Sequence, residues 1–434
     1  VARLNEGAGL EHMKSITVGI PHVSIIAAAA TIARYCSAVA MIILLVSGCA
    51  SVPGRQVADA VRPEMVPNEL HPDELLDVSI VVFDPGKLPD DEDERIGLSP
   101  EIRAAEARFV PTHLKYTMQQ SGYWGTVRVI PRADVGSDVL VTGRIDYSDG
   151  ESMVLTIEAY DSRGRQWFKK DYAETSKSHE HTGIEPQKTD VFQDLFTTIA
   201  NDLVDARNQL RYDEIRNIKL IARQQFASSM APEAFAGYLV KDDQGYWQLV
   251  RLPAENDPMM ERIEAVRSRD DMLVDIINGH YDAYYRDLWQ PYSEWRRSRR
   301  DEVAAMRKLE REALGRQLLG IAAIVGGIAI GMDSDNIDRS GVLTDVLILG
   351  GAAAVYSGFE KRKETEINKD VIAELGESFQ SEASPLLLEV QGETIRLTGT
   401  AEERYGQWRK ILREIHFQET GMTPVSQSEQ VTPQ

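Results

Sequence analysis

Cysteine is nearly absent from the chain. Its 434 residues hold two, Cys36 and Cys49, both within the first fifty positions. That excludes a disulfide framework and a thiolate-built zinc site. Positive charge is the minority, with 48 Lys and Arg against 68 Asp and Glu and a net charge of -20. Such a chain repels nucleic acid and anionic lipid unless its basic residues are concentrated locally. A mean hydropathy of -0.30 excludes a polytopic membrane protein. Recognisable catalytic motifs are missing too. There is no glycine-rich phosphate loop, no Gly-x-Ser-x-Gly elbow and no His-Glu-x-x-His helix. What is present is a 43% hydrophobic chain, long enough for two or three domains.

Residues 36–47 form an apolar run of the length of a signal-peptide core, with Arg34 and Lys14 upstream. About twelve residues are too few to cross a hydrocarbon layer of about 30 Å, which argues against a simple transmembrane anchor. The run ends in Val46-Ser47-Gly48-Cys49, which resembles the bacterial lipoprotein box. The resemblance implies that Cys49 takes a diacylglyceryl group and that residues 1–48 leave as a signal peptide. Met13, followed by Lys14, is the expected start. Ala50 and Ser51 after the cysteine imply the outer membrane, by resemblance to enterobacterial lipoproteins. Residues 49–74, with Pro53, Pro63, Pro67 and Pro72, read as an extended lipidated tether.

Residues 75–211 read as a small α+β domain with an antiparallel sheet and flanking helices. Val78–Phe83 is a strand stopped by Asp84-Pro85-Gly86. Ser99-Pro100 opens a helix, which Pro111 is expected to kink or split and Gly122 to end. A meander follows. Thr126–Ile130 is its first strand; Val139, Val141, Gly143, Ile145 and Tyr147 share a face of the second. Met153, Leu155, Ile157 and Ala159 share a face of the third, and Trp167 marks a fourth. Asp149-Gly150 and Arg163-Gly164 lie in the turns. Thr189 and Asp190 open a helix carrying Phe192, Leu195, Phe196, Ile199, Leu203 and Leu210. The order of elements is expected to close its own core. With the tether and Asp138–Ile145 it resembles small periplasmic domains of envelope lipoproteins, namely the curli-secretion channel lipoprotein and the lipoprotein activators of peptidoglycan synthases.

Residues 212–315 read as a charged helical region. Tyr281, Tyr284, Tyr285, Trp289, Tyr292 and Trp295 occupy one face, followed by Arg296-Arg297-Ser298-Arg299-Arg300. Basic residues beside aromatics can bind nucleic acid. In so acidic a chain, packing against the α+β domain or a partner is the preferred reading, and Pro291 is expected to interrupt the helix. Residues 316–360 are a glycine-rich apolar hairpin similar to the glycine-zipper hairpins of outer-membrane lipoproteins. Gly320, Gly326, Gly327 and Gly331 lie in the first arm, Gly350 and Gly351 in the second. Their spacing lets helix backbones approach closely, so these six are the candidate oligomerisation residues. Burial of the hairpin in the fold and insertion in a membrane both stay open. Residues 361–421 are a ββα unit whose helix is capped by Thr400-Ala401-Glu402-Glu403 and carries Tyr405, Trp408, Leu412 and Ile415. Residues 422–434 read as a disordered tail.

Two motifs fall short of a metal site. The acidic run Asp90–Glu94 lacks the glycine-spaced calcium pattern, and His179 with His181 lacks a third metal ligand. No catalytic residue, metal or cofactor is assigned. The expected function is a non-enzymatic binding or assembly component, lipid-anchored through Cys49 in the outer membrane and facing the periplasm. Its expected partners are the membrane and an envelope protein, not nucleic acid. The alternative is an oligomeric pore or secretion accessory component built on the glycine-rich hairpin.

Overall fold

Alternation along Leu76–Val81 (β2) sets the architecture. Leu76, Val78 and Ile80 are buried on one face, while Asp77, Ser79 and Val81 are half-buried on the other. In the computed structural model, which describes residues 55–58, 60–90, 98–176, 190–329, 369–377, 386–390 and 393–420, both faces of this strand are used. The class is α+β, as expected. The sheet, however, is mixed instead of antiparallel. Strand β2 lies between β3 (Trp124–Ile130) and β4 (Val139–Ser148), parallel to both. Parallel neighbours need a long crossover, and helix α1 (Pro100–Gln120) supplies it between β2 and β3.

Strands β4, β5 (Ser152–Asp161) and β6 (Gln166–Thr175) form the expected antiparallel meander. Gly150 and Gly164 hold positive φ in its two turns. Val139, Val141 and Ile145 are buried on one face of β4. A register shift between Ile145 and Tyr147 ends that alternation, so Tyr147 stays half-buried and Ser148 is buried instead.

Ser99 caps α1 through its hydroxyl and Pro100 occupies the first turn. Of the kink or split expected at Pro111, the split does not occur, and the helix runs on to Gln120. The carbonyl that a proline leaves without its helical donor is that of Ala107, and it accepts the Phe83 N–H at 2.9 Å. A strand-end amide thus satisfies what the helix cannot. Helix α2 (Gln193–Asn208) buries Leu195, Phe196, Ile199 and Leu203 beside Val110, Leu114 and Met118 of α1, covering one sheet face. Helix α3 (Tyr212–Met230) adds Ile215 and Ile218 to that core.

The long helix α4 (Pro258–Ala329) runs through Pro291 without the expected interruption. Its six predicted aromatics are all buried. Five of them, Tyr284, Tyr285, Trp289, Tyr292 and Trp295, join Ile102, Ala105 and Phe109 of α1 in one cluster. Packing against the α+β body is therefore what this face does. A third cluster joins Val129 and Ile130 of β3 to α3, α4 and helix α5 (Ala401–Thr420), burying Trp408 and Leu412. Helix α5 follows the hairpin of β9 (Leu386–Val390) and β10 (Glu393–Leu397). Thr400 and Glu403 make the reciprocal cap read from the sequence, at 3.2 and 2.9 Å. Between α3 and α4 lies a short hairpin, β7 (Leu239–Lys241) with β8 (Trp247–Leu249). All three clusters carry side chains from both sides of residue 211.

Within the stretch expected to be an extended tether, the described residues between Arg55 and Val66 dock on the body, and Pro72–Glu74 forms a 3-10 turn. Arg55–Gln56 (β1) pairs parallel with β6. The Ala60 and Val61 amides donate to the Asp194 carboxylate, both at 2.9 Å, and Glu64 N–H donates to Asn201 at 2.8 Å. Val66 N–H reaches the Ser121 carbonyl. The strap's amides thus find partners on α2, on β6 and at the end of α1.

Of the glycine-rich hairpin, Gly320, Gly326 and Gly327 lie in the last turns of α4. Gly331, Gly350 and Gly351 lie outside the described residues, as do Cys49, the signal region, His179 and His181. No helix among the described residues is long and apolar enough to cross a membrane.

Candidate functional site

The half-buried face of β2 and β3 opens into a cleft of about 750 Å³ between α3, α4 and α5. Asp77 and Ser79 form its floor because they alternate with the buried side of β2. The loop from Asp134 to Asp138 forms one rim. Gly136 takes φ +102 there, and a Cβ on it would lie 3.1 Å from the Phe226 Cβ and 3.4 Å from its ring. Helix α3 presents Tyr212, Arg216, Lys219 and Arg223 at helical spacing along a second wall. Arg267, Asp270 and Asp271 of α4 line the cleft with Tyr405 of α5.

Most of these charges are engaged. Arg128 binds Asp275 at 2.6 Å and Asp271 at 3.2 Å. Arg223 pairs with Glu264. Arg267 donates to the Gly136 carbonyl at 3.1 Å, with its guanidinium over the Phe226 ring. Lys219 donates to the Leu75 carbonyl at 2.7 Å. Arg409 of α5 bridges Asp134 and Asp270, each at 3.0 Å, and so ties the C-terminal unit to the cleft wall.

Three of the lining groups keep unmet charge or hydrogen-bonding capacity. Asp138 is 4% exposed, and its Oδ2 accepts the Asp77 N–H at 3.0 Å. It has no ion-pair partner among the described residues. Burial, with the Asp77 carboxylate adding to it, pushes the Asp138 carboxyl up to about 6 against the pull of Lys219 and Arg267. Asp270 is also pushed up to about 6, by burial and by Asp134 and Asp271, despite Arg409. Its Oδ1 is buried with no hydrogen-bond partner. Arg216 is exposed and, among the described residues, unpaired.

A second polar cluster is sealed between α1 and α4. Arg296 donates twice to Asp190, at 2.6 and 3.0 Å. Burial opposes ionisation of Asp190, but Arg296 outweighs it and holds the carboxyl below its ordinary range. Glu106 accepts from Ser148 at 2.5 Å and from Tyr292 at 2.6 Å, and burial raises its pKa. His113 donates from Nε2 to Gln193 at 3.0 Å and accepts the Tyr285 hydroxyl at Nδ1, which selects its neutral form. Burial lowers its pKa in agreement. These groups are closed off from solvent and pin α4 to the body.

Of the candidate residues read from the sequence, Cys49, Gly331, Gly350 and Gly351 lie outside the described residues. Sequence reading passed over Asp138, Asp270 and Arg216. Only the basic stripe of α3 carried a visible signal, Arg216, Lys219 and Arg223 spaced on one helical face. Among the described residues, no group of three or more His, Cys, Asp or Glu is placed to hold a metal ion. No protein-family model matches the chain, and no curated protein matches it.

Proposed function

We propose that the chain is a lipid-anchored protein of the bacterial envelope, held through Cys49, that acts as a non-enzymatic binding component through the charged cleft. The observation that carries the reading is the apolar run ending in Val46-Ser47-Gly48-Cys49. The docked strap supports it. Five residues separate Cys49 from Arg55, a contour of at most about 22 Å, so acylation would hold the body close to the lipid. The cleft supports a binding role, since it gathers polar side chains with unmet charge in a concave site.

Replacing Cys49 with Ser removes the only thiol at the box. The variant is expected to leave the outer-membrane fraction or to accumulate uncleaved. Cells treated with an inhibitor of lipoprotein signal peptidase are expected to accumulate the same longer form. Cys49→Ser protein that still sediments with outer membrane after salt and urea washes would sink the anchor.

The alternative is an oligomeric pore or secretion accessory. It draws on the charge-free, glycine-bearing end of α4, Leu318–Ala329. Native mass of the detergent-extracted chain separates the two: a ring supports the alternative, a monomer or dimer the binding component.

A further inference from the structure

We propose that the cleft receives a zwitterionic peptide, its ammonium group against Asp138 and Asp77 and its carboxylate against Arg216. The inference deepens the reading of the cleft as a binding site and rests on it.

It follows from what each charge in the cleft already does. Of the cations, Arg128, Arg223, Arg267 and Lys219 each have carboxylate or carbonyl partners, and Arg216 alone has none among the described residues. Of the carboxylates, Asp271 has Arg128, Asp134 and Asp270 share Arg409, and Asp73 faces His71. Asp77 and Asp138 have only backbone donors, Thr126 N–H at 2.7 Å and Asp77 N–H at 3.0 Å. Two adjacent carboxylates with no direct ion pair among the described residues, one of them almost wholly buried and reached by Lys219 and Arg267 only through space, form an arrangement that folding alone disfavours. An ammonium group supplies three donors and the missing charge. Beside it, Ser137 donates to Ser79 at 2.7 Å, which leaves the Ser79 hydroxyl proton free to orient.

The α3 wall sets the other end of the ligand. Arg216, with Lys219 and Arg267 nearby, repels a polyamine that is positive throughout. The carboxylate floor repels a simple anion. A ligand carrying both signs satisfies both walls, and about 750 Å³ accommodates a short peptide. Asp270 Oδ1, buried and without a partner on the same wall, offers a further acceptor for a backbone amide.

Titration calorimetry of the purified full chain tests this, with the tripeptide alanyl-lysyl-alanine as probe. Two companions are its fully N-acetylated form, which has no ammonium, and its C-terminal amide, which has no carboxylate. The free tripeptide is expected to bind saturably, the acetylated one not at all, and the amide at least tenfold more weakly. Asp138→Asn should weaken the free tripeptide at least tenfold, yet melt at or above the wild-type temperature, because the amide oxygen still accepts the Asp77 N–H. A purely structural Asp138 would lower the melt instead. Arg216→Gln should weaken the free acid and leave the amide unchanged. Equal binding of free and acetylated peptide, or no saturable heat up to about 10 mM, overturns the proposal. A binding partner protein that competes with the tripeptide identifies a segment of that protein as the natural source; absence of competition points to a free peptide. The envelope reading fails separately, on the Cys49 fractionation, which the calorimetry does not touch.

Discussion

At Asp138 and Asp270 the folded chain holds two carboxyls at about 6, raised from 3.8 chiefly by burial. Proton uptake therefore favours the folded form. Their contribution is full below the unfolded value of 3.8 and is lost as pH rises through about 6, on the order of 2–3 kcal/mol each. Urea midpoints of Asp138→Asn and Asp270→Asn against wild type, taken from about pH 4 to about pH 8, should show the variants gaining relative stability across that window. Constant differences would mean that neither group titrates in the folded state where burial puts it. Glu106 makes a different case. Its raised pKa favours the neutral acid, and two hydroxyls already donate to one oxygen. Glu106→Gln should then melt near or above wild type at neutral pH. Glu106→Ala, which opens a cavity and orphans both hydroxyls, should lose about 2–4 kcal/mol. Asp190→Ala strands the Arg296 guanidinium in the interior and should cost about 3–5 kcal/mol by chemical denaturation.

Between elements, the strap from Arg55 to Val66 hangs on few contacts, and Asp194 supplies two of them. Asp194 also stands in the first turn of α2, where its charge complements the helix N-terminus. Asp194→Ala should destabilise the chain by about 1–2 kcal/mol. It should also speed proteolytic nicking between residues 55 and 66 while the body stays intact. Unchanged nicking would place the strap's hold in β1 instead. The α1 helix shows how context overrides a local rule. Pro111 reads as a kink or a split, yet the helix continues past it and the Phe83 amide takes the carbonyl that the ring frees. The same closeness governs Gly143, where a Cβ would lie 2.6 Å from the Phe83 ring. Gly143→Ala is expected to cost about 1–3 kcal/mol through overpacking.

Across the whole molecule, residue 211 is no boundary for packing. Ile215 and Ile218 complete the first core, and the aromatic face of α4 covers Phe109 of α1. A fragment ending at 211 leaves those surfaces bare, so it should melt with low cooperativity and bind a hydrophobic dye. A sharp, dye-silent melt would show that the sheet and its two helices suffice. The glycine-rich segment enters at this scale as well. Gly327→Leu in the full chain should reduce native mass if the segment mediates association. A lower melting temperature at unchanged mass would instead mean burial within the fold.

The chain's local chemistry was legible wherever neighbours in sequence decide the outcome. The α+β class, the Ser99 and Thr400 caps, the Asp149-Gly150 turn and the buried stripes of β5, α2 and α5 follow from hydrophobic period and capping. Each depends on residues within a few positions of one another. Insertion of β2 between β3 and β4, the continuity of α1 and α4 through their prolines, and the docking of the strap were decided by tertiary structure. They rest on hydrogen bonds and side-chain packing between segments dozens to hundreds of residues apart. The cleft belongs to the same class. Asp138, Arg216, Asp270 and Arg409 are unremarkable charges in the sequence. They acquire a shared environment only when a strand end and three helices meet, because burial and charge pairing are properties of position in space.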